Sequence, residues 1–207
     1  RNGNLGNSFM TSHLDPRQTL RRQLRQTRRS LSADEQLNAS IALLSNFKEQ
    51  LNSIDFFNKT DSTERIALYL SNDGEISPQL LCEFFWQQNI ETYLPVVQDK
   101  KLTFARYSAE TIWQENIFGI KEPITTEYLS GNELDIVLLP LVGFDSKGGR
   151  LGMGGGFYDR TFANKRADEK PLLIGLAHDC QEVKSLPVEG WDVPLQAIIT
   201  PKQAIKV

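Results

Sequence analysis

Residues 133–145 read ELDIVLLPLVGFD, a nearly continuous run of apolar side chains. A strand inside a parallel sheet is covered on both faces, so its sequence is apolar throughout rather than alternating. The run therefore predicts a central strand that is buried on both faces. Shorter runs of the same type predict further buried strands: RIALYLS (65–71), PLLIGLAHD (171–179) and LQAIIT (195–200).

The segment 16–51 predicts two helices. Asp15 can accept a hydrogen bond from the first turn, and Pro16 suits the first helical position. Ser32 and Glu35 have the spacing of a capping box at the start of the second helix. Leucines at helical spacing give the first helix an apolar stripe, so we expect it to pack against the protein on that side.

Helices and strands alternate along most of the chain. SPQLLCEFFWQQNI (77–90) predicts a helix, ETYLPVVQ and KLTFARYS predict a strand pair, and the segment after the glycines, 158–167, predicts another helix. This alternation is typical of an α/β fold with a largely parallel sheet. We expect one domain over residues 15–207. Residues 1–14 are polar and rich in Gly and Asn, and we expect a flexible leader or vector remnant there.

Nothing in the overall composition indicates a protein that binds nucleic acid or membranes. Of 207 residues, 40% are hydrophobic and 24% are charged, and the net charge is −3. No apolar stretch approaches the roughly 18–20 residues of a membrane-spanning helix. Cys82 and Cys180 lie far apart without a Cys-x-x-Cys pattern, so we expect free thiols in a reducing cytoplasm, with a single disulfide as the alternative.

The glycines of residues 149–160, GRLGMGGGFYDR, follow the central strand and precede a predicted helix. Ligands of open parallel sheets bind beyond the carboxyl ends of the strands. A glycine loop there offers unobstructed backbone N–H groups to phosphate, and Arg150 adds a permanent positive charge. The P-loop pattern is absent. The dinucleotide-binding glycine pattern is absent too, because Phe157 stands where its third glycine would fall. A glycine-rich hairpin with structural bulges is the alternative.

Two aspartates near the glycines are candidate metal ligands. Asp159 follows the loop and Asp192 precedes the last predicted strand, and Mg²⁺ takes oxygen ligands that it shares with substrate phosphates. Asp159 could instead cap the following helix or form a salt bridge. Phe157 and Tyr158 could stack on a flat heterocycle or pack in the core.

The first helix carries arginines at 17, 21, 25 and 28, a spacing that places them on one face. Such a face usually contacts solvent. RNA binding is a second interpretation, which the acidic composition disfavours. In the third, one or two arginines at the helix start fold over a phosphate site.

Other polar residues follow the predicted strands. Glu75 comes after the strand at 65–71, where it is either a ligand group or a surface acid. His178 follows another strand and is interpreted as structural, because no nucleophile pattern accompanies it.

The sequence PLVGFDSKGGRLGMGGGFYDR closely resembles the signature of the 5-formyltetrahydrofolate cyclo-ligase family, also called 5,10-methenyltetrahydrofolate synthetases. The family pattern is R-x-G-x-G-x-G-[FY]-Y-D after an apolar strand that ends in Phe-Asp, and Arg150 to Asp159 match it. YLSNDGEISPQLL, FGIKEP, GLAHDCQ and WDVPLQAIITP extend the resemblance over most of the chain.

The resemblance implies a single-domain, three-layer α/β fold like that of the ribose-phosphate isomerase and CoA-transferase group. It implies an ATP- and Mg²⁺-dependent conversion of 5-formyltetrahydrofolate to 5,10-methenyltetrahydrofolate, with release of ADP and phosphate. In the family, the formyl oxygen attacks the γ-phosphate, N10 closes the ring, and phosphate leaves. The expected partners are reduced folate and ATP, and we expect a cytoplasmic monomer that binds neither nucleic acid nor membrane.

The resemblance also implies roles for individual residues. Arg150 and Tyr158 are the expected catalytic residues, and Asp159 and Asp192 the expected Mg²⁺ ligands. The substrate is expected to contact Leu70, Glu75, Arg21 and Tyr158, with Trp113 and Tyr107 as looser candidates for the pocket wall. Arg17 stands where the family has lysine, so a planar fork replaces a compact ammonium. The expected ATP-binding residues are Arg17, Arg21, Arg150, Leu151, Gly152, Met153, Gly154, Gly155, Gly156, Phe157 and Tyr158.

Two alternative functions differ from this one in what they require. A sugar-phosphate isomerase on the same fold would also need a phosphate loop, but it would not need ATP. A binding module that contacts RNA through its basic helix would show salt-dependent affinity.

Overall fold

The computed structural model describes residues 15–53, 65–187 and 189–207. Its helices are α1 (Pro16–Arg29), α2 (Ala33–Ser53), α3 (Gln79–Gln87) and α4 (Phe157–Thr161). Its strands are β1 (Arg65–Ala67), β2 (Glu91–Gln98), β3 (Lys101–Tyr107), β4 (Ile112–Glu115), β5 (Lys121–Ile124), β6 (Tyr128–Leu129), β7 (Ile136–Pro140), β8 (Gly143–Phe144), β9 (Arg150–Leu151), β10 (Leu172–Leu176), β11 (Ala197–Ile199) and β12 (Ala204–Lys206).

The main sheet has eight strands in the order β12-β11-β10-β7-β1-β2-β3-β6. The inner strands β11, β10, β7, β1 and β2 run parallel to one another. The outer strands β12, β3 and β6 pair antiparallel with their neighbours. The prediction of an α/β fold with a largely parallel sheet is therefore confirmed.

The central strand β7 is buried on both faces, as the apolar run predicted. Ile136 and Leu138 face a core that includes Phe47 of α2 and Phe85 of α3. The neighbouring β7 side chains Val137 and Leu139 face a second core, whose covering layer consists of loops and α4 rather than long helices. Burying a side chain of this size stabilises a fold by about 1.5–3 kcal/mol.

Both predicted helix starts are confirmed. The Asp15 carboxylate accepts a hydrogen bond from the Arg17 N–H at 3.0 Å. Ser32 Oγ accepts from the Glu35 N–H at 3.1 Å, and the Glu35 carboxylate accepts from the Ser32 N–H at 3.1 Å. These bonds satisfy N–H groups that the first helical turn cannot pair internally.

The apolar run at 133–145 is not a single strand, because the chain leaves the sheet after Pro140. Beyond it, Gly143–Phe144 pairs with Arg150–Leu151 in a separate hairpin, β8–β9. The backbone carbonyls at the bend accept hydrogen bonds from a side chain rather than from a neighbouring strand. Gln181 Nε2 donates to Leu141 O at 2.6 Å and to Val142 O at 2.9 Å. The bend directs the chain into the glycine loop.

The helix predicted over 158–167 is also shorter than expected, since α4 ends at Thr161. Phe162 follows it and packs its buried ring against Phe104, with the ring centroids 6.2 Å apart. Phe162 therefore draws the chain into the core at the point where the sequence pattern predicted that the helix would continue.

The two cysteines match the prediction of free thiols. Cys82 is buried, Cys180 is exposed, and both are free thiols. Burial raises the pKa of Cys82 to about 12. Within the described residues, no helix has the length and apolar character needed to cross a membrane. The leader predicted at residues 1–14 lies outside the described residues.

Candidate active site

A cleft opens where β7 ends. Leu139 and Pro140 form part of its floor, and the glycine loop, residues 152–156, forms one wall. We call this space, about 280 Å³ in volume, the glycine-loop cavity. Its position beyond the carboxyl end of a parallel strand is the usual place for a ligand in an α/β sheet.

Two glycines of the loop are required by its backbone conformation. Gly154 has a φ of +96° and Gly156 a φ of +70°, which L residues rarely adopt. Gly152 differs, because it has no left-handed φ, and a Cβ atom built on it would meet no heavy atom within 4 Å. The absence of a side chain at Gly152 thus keeps open space beside the backbone.

Arg17 and Arg21 of α1 also line the glycine-loop cavity. Arg21 Nε donates to Gly152 O at 2.8 Å, and Arg17 Nη1 donates to Pro187 O at 3.0 Å. Burial and the neighbouring Arg17 charge lower the pKa of Arg21. Two like charges are thus held side by side, an arrangement that an anionic ligand would relieve.

The rest of the α1 basic face binds the protein itself. Arg25 Nε and Arg28 Nη2 donate to the same Asp73 carboxylate at 2.7 and 2.9 Å, and Arg29 also pairs with it. Arg28 is buried, and its Nη1 donates to Leu141 O at 3.3 Å. The interpretation of this face as solvent-exposed is therefore wrong. RNA binding also loses support, because one carboxylate already holds Arg25, Arg28 and Arg29 against the protein.

Arg150 and Asp159 pair with each other. Arg150 Nη2 donates to Asp159 Oδ1, and it also donates to Val193 O at 3.0 Å. The Val193 N–H donates to the same Asp159 oxygen at 2.9 Å. These bonds join both ends of the glycine loop to the segment that follows Asp192. Asp159 is thus a salt-bridge partner here, while its second oxygen has no hydrogen bond within the described structure.

Asp192 lines the same cavity as Asp159. Its Oδ2 accepts from the Glu189 N–H at 2.9 Å and lies 3.5 Å from Arg17 Nη1. Over residues 15–53, 65–187 and 189–207, no group of three or more metal-binding side chains comes together. A divalent cation bound here would therefore need phosphate or water oxygens to complete its coordination.

An apolar cleft of about 560 Å³ adjoins the glycine-loop cavity, and Pro95, Val97 and Phe157 line both spaces. Leu70 forms part of it, as predicted for a substrate contact. The tip of the β4–β5 hairpin forms another side, where Ile117 and Phe118 are 92% and 79% exposed. The tip of this hairpin was not among the predicted site residues, although two adjacent large apolar residues before Gly119 are the signal that could have shown it.

Glu75, a predicted substrate contact, lines neither the glycine-loop cavity nor the apolar cleft, whereas Tyr158 lines the first. Burial and then the Glu75 charge raise the pKa of Tyr158, and burial raises the pKa of Glu75 itself. Glu75 Oε1 accepts from the Asn72 N–H at 2.9 Å. The Tyr158 hydroxyl lines the glycine-loop cavity and makes no hydrogen bond to any described residue. It is therefore available to a ligand.

Some predicted site residues lie elsewhere. Leu151 packs its side chain in the core with Leu24, so only its backbone could reach a nucleotide. Tyr107 and Trp113 pack against each other, with centroids 5.5 Å apart, and line neither the glycine-loop cavity nor the apolar cleft. His178 is buried with Nε2 3.2 Å from Gly74 O, which confirms its structural interpretation.

A third space, which we call the distal cavity, adjoins the glycine-loop cavity. Its volume is about 500 Å³, and Gly154, Gly155, Gly156, Asp159, Trp191 and Asp192 line both it and the glycine-loop cavity. Trp191 is 71% exposed. Asp192 was a predicted site residue and the neighbouring tryptophan was not, because exposure cannot be read from a single aromatic residue in a sequence.

Comparisons with known proteins agree on one family. The model of the 5-formyltetrahydrofolate cyclo-ligase family matches residues 14–201. The 5-formyltetrahydrofolate cyclo-ligase of Haemophilus influenzae is 44% identical over 188 residues, which cover 88% of this chain and 96% of the relative. The mouse protein of the same name is 26% identical, with 87% of this chain and 91% of the relative covered.

Two solved structures resemble this fold. The 5,10-methenyltetrahydrofolate synthetase of Aquifex aeolicus has a TM-score of 0.75 and 29% identity, with 92% of each chain covered. The synthetase of Mycoplasma pneumoniae has a TM-score of 0.68 and 25% identity, with 91% of this chain and 100% of that chain covered. The sequence signature, the cleft beyond β7 and these matches together show that the chain belongs to the 5-formyltetrahydrofolate cyclo-ligase family.

Proposed function

We propose that this protein is a 5-formyltetrahydrofolate cyclo-ligase that forms 5,10-methenyltetrahydrofolate, ADP and phosphate from 5-formyltetrahydrofolate and ATP. The formyl oxygen attacks the γ-phosphorus, and the bond from that phosphorus to the ADP oxygen breaks. N10 then attacks the formyl carbon and forms the new C–N bond. The C–O bond breaks, phosphate leaves with the former formyl oxygen, and N10 loses its proton.

The observation that carries this proposal is that the glycine-loop cavity, which is lined by arginines, adjoins the apolar cleft. The glycine-loop cavity is cationic, and the apolar cleft beside it is large enough for part of a flat heterocyclic substrate. Phe157 lines both, so a phosphate in the first can meet a group projecting from the second. A reaction that joins a folate oxygen to a nucleotide phosphate needs such adjacency.

On the phosphate side, Arg17, Arg21 and the backbone at Gly152 are the proposed ligand contacts. Phosphoryl transfer depends mainly on positioning and charge neutralisation, so no covalent nucleophile is needed. Arg21 is held by Gly152 O, which leaves its other guanidinium nitrogens available to phosphate oxygens. Arg150 holds Asp159 in place and completes the positive wall of the cavity.

The two aspartates fit a shared Mg²⁺ site. Asp159 keeps one carboxylate oxygen without a hydrogen bond, and Asp192 lies in the same cavity wall. An oxygen-only donor set that is incomplete without phosphate suits Mg²⁺, which usually keeps several non-protein ligands. When bound there, Mg²⁺ would neutralise the charge of the phosphate oxygens. Asp159 and Asp192 would hold it, and the salt bridge to Arg150 would orient Asp159.

On the folate side, Leu70 and Phe157 supply apolar walls. Glu75 is the proposed acceptor for the N–H groups of the pterin, since a carboxylate accepts and does not donate. The free hydroxyl of Tyr158 is the proposed contact to the reacting end of the folate. Closing these groups around the substrate would also exclude water from the reactive phosphorylated intermediate.

The test mixes the protein with 5-formyltetrahydrofolate and Mg²⁺, with and without ATP, and follows the absorbance band of the methenyl product. We expect a rise that depends on ATP and that releases ADP in equal amount. No rise with folded protein would contradict the proposal and favour a sugar-phosphate isomerase, which needs no ATP. Light scattering on the same sample checks our further expectation of a monomer.

A further inference from the structure

The turn that carries Glu75 is held in place by a buried arginine. Arg28 of α1 is 1% exposed. Its Nε donates to Asp73 O at 2.8 Å, and its Nη2 donates to Asp73 Oδ2 at 2.9 Å. One guanidinium therefore binds both the backbone and the side chain of Asp73. Because the guanidinium donors form a rigid planar fork, this pair of bonds fixes the orientation of Asp73 as well as its position.

Arg28 is itself anchored at the end of the central strand. Its Nη1 donates to Leu141 O at 3.3 Å, directly after β7. The end of this strand forms part of the floor of the glycine-loop cavity. Arg28 thus sets the position of Asp73 relative to the sheet that supports the site. Arg25 and Arg29 differ from it, since they donate to the Asp73 carboxylate and are half-buried and exposed, respectively.

The backbone of the turn, residues 72–75, needs contacts of this kind. Asp73 has a φ of +54°, a left-handed conformation that L residues rarely adopt. The Glu75 N–H donates to Asn72 O at 3.0 Å, and Glu75 Oε1 accepts from the Asn72 N–H at 2.9 Å. The carboxylate is thus bound to the turn that carries it, and any shift of the turn moves Glu75 with it.

We propose that Arg28 is a positioning residue: it fixes the 72–75 turn so that the Glu75 carboxylate meets the pterin in one orientation. This inference rests on the proposed function, in which Glu75 accepts from the pterin N–H groups, and it adds a residue that acts through Glu75. Arg28 lines neither the glycine-loop cavity, the apolar cleft nor the distal cavity, so it would not touch the substrate itself. Its charge is close enough to oppose the rise in pKa that burial gives Glu75.

The experiment measures KM for 5-formyltetrahydrofolate and for ATP in Arg28→Gln, with Arg29→Gln as the matched control that removes a cation from the same carboxylate. Circular dichroism sets a temperature at which both variants are folded. Arg28→Gln should raise KM for the folate about tenfold, as expected when a hydrogen bond to a charged group is lost. KM for ATP should stay close to the wild-type value, because the bend after β7 keeps its bonds from Gln181 and the Arg28 contact with Met153 Sδ is long, at 3.9 Å. Arg29→Gln should change neither constant.

A double-mutant cycle with Glu75→Gln separates positioning from a general effect on the fold. If Arg28 acts through Glu75, Arg28→Gln should raise KM for the folate in the wild-type background and not in the Glu75→Gln background. An equal increase in both backgrounds, or an unchanged KM for the folate in folded Arg28→Gln, would overturn the inference. If Arg28→Gln does not fold, Asp73→Asn takes its place in the same cycle, with the same expected and contrary results.

These outcomes differ from a failure of the proposed function. In each of them the wild-type protein still forms methenyl product with ATP. A wild-type protein that forms no such product would contradict the proposed function, and the inference about Arg28 would fall with it.

Discussion

Gly152→Ala should separate stability from function at the glycine loop. The added methyl group would meet no heavy atom of the protein within 4 Å, and Gly152 lacks the left-handed φ that resists a side chain. Alanine in place of glycine at a compatible position stabilises a protein by about 0.4–1 kcal/mol, since the unfolded chain loses freedom. For a chain of this size, the melting temperature should rise by roughly 1–4 °C.

The same methyl group should damage catalysis. It would project into the space where phosphate oxygens are proposed to approach the loop backbone. A phosphate in hydrogen-bond contact with the loop would have to move outward by about 1 Å, and a displacement of that size costs about 10²-fold in rate. We therefore expect kcat/KM for ATP to fall by about 10²-fold, with a weaker effect on KM for the folate.

The assay combines thermal unfolding of the ligand-free protein with steady-state formation of methenyl product. Gly154→Ala is the contrasting variant, because Gly154 has a φ of +96° and its Cβ would lie 3.4 Å from Arg21 Cζ. That variant should lose about 1–2 kcal/mol of stability as well as activity. Wild-type kcat/KM in a stable Gly152→Ala protein would refute the close approach of phosphate to this residue.

Three further substitutions test the charged groups. Arg150→Ala should lower the free energy of unfolding by about 1–3 kcal/mol and abolish most turnover, because Asp159 loses its partner; unchanged urea unfolding would contradict this. Asp73→Asn should cost about 2 kcal/mol at pH 7. The bound arginines hold the pKa of Asp73 well below its ordinary 3.8. The stabilisation that the Asp73 charge gives is therefore complete above pH 3.8 and is lost as the pH falls below it. The urea midpoints of the wild-type and Asp73→Asn proteins should accordingly converge in acid. Burial raises the pKa of Glu75 above its ordinary 4.5, so its charge destabilises the folded protein at pH 7 and not below pH 4.5. Glu75→Gln should therefore stabilise the ligand-free protein at pH 7, lose that advantage in acid and raise KM for the folate; equal stability at both pH values would contradict the buried charge.

Local sequence signals predicted the elements that are held by local contacts. The strand β7 and the helix starts at Asp15 and Ser32 depend on patterns within a few residues, and the structure confirms them. The glycine loop was also identified, because so many glycines in a short stretch between a strand and a helix are typical of a ligand-binding loop. Its conformation could not be read from composition, since only two of its glycines have a left-handed φ.

The features that the sequence did not predict depend on contacts between residues that are far apart along the chain. The basic face of α1 has the spacing of a solvent-facing surface, yet Asp73, more than forty residues away, binds Arg25 and Arg28 of this face and also Arg29. Asp159 was interpreted either as a metal ligand or as a salt-bridge partner. Its pairing with Arg150 is compatible with both roles, and the spacing of the residues alone could not choose between them. Trp113 was a candidate for the pocket wall, but aromatic residues suit both pocket walls and cores, so the sequence could not decide between the two.

The contacts of α1 have a consequence for how the protein is made. This helix is synthesised long before its partners, since Arg21 binds Gly152, and Arg17 reaches Asp192 across a separation of 175 residues. A chain emerging from the ribosome therefore carries its arginines long before their partners exist. Contacts of such large sequence separation form late, because the loop they close is long. Nucleotide binding should consequently be absent from nascent chains that end before residue 192 and should arise only after that residue has been made.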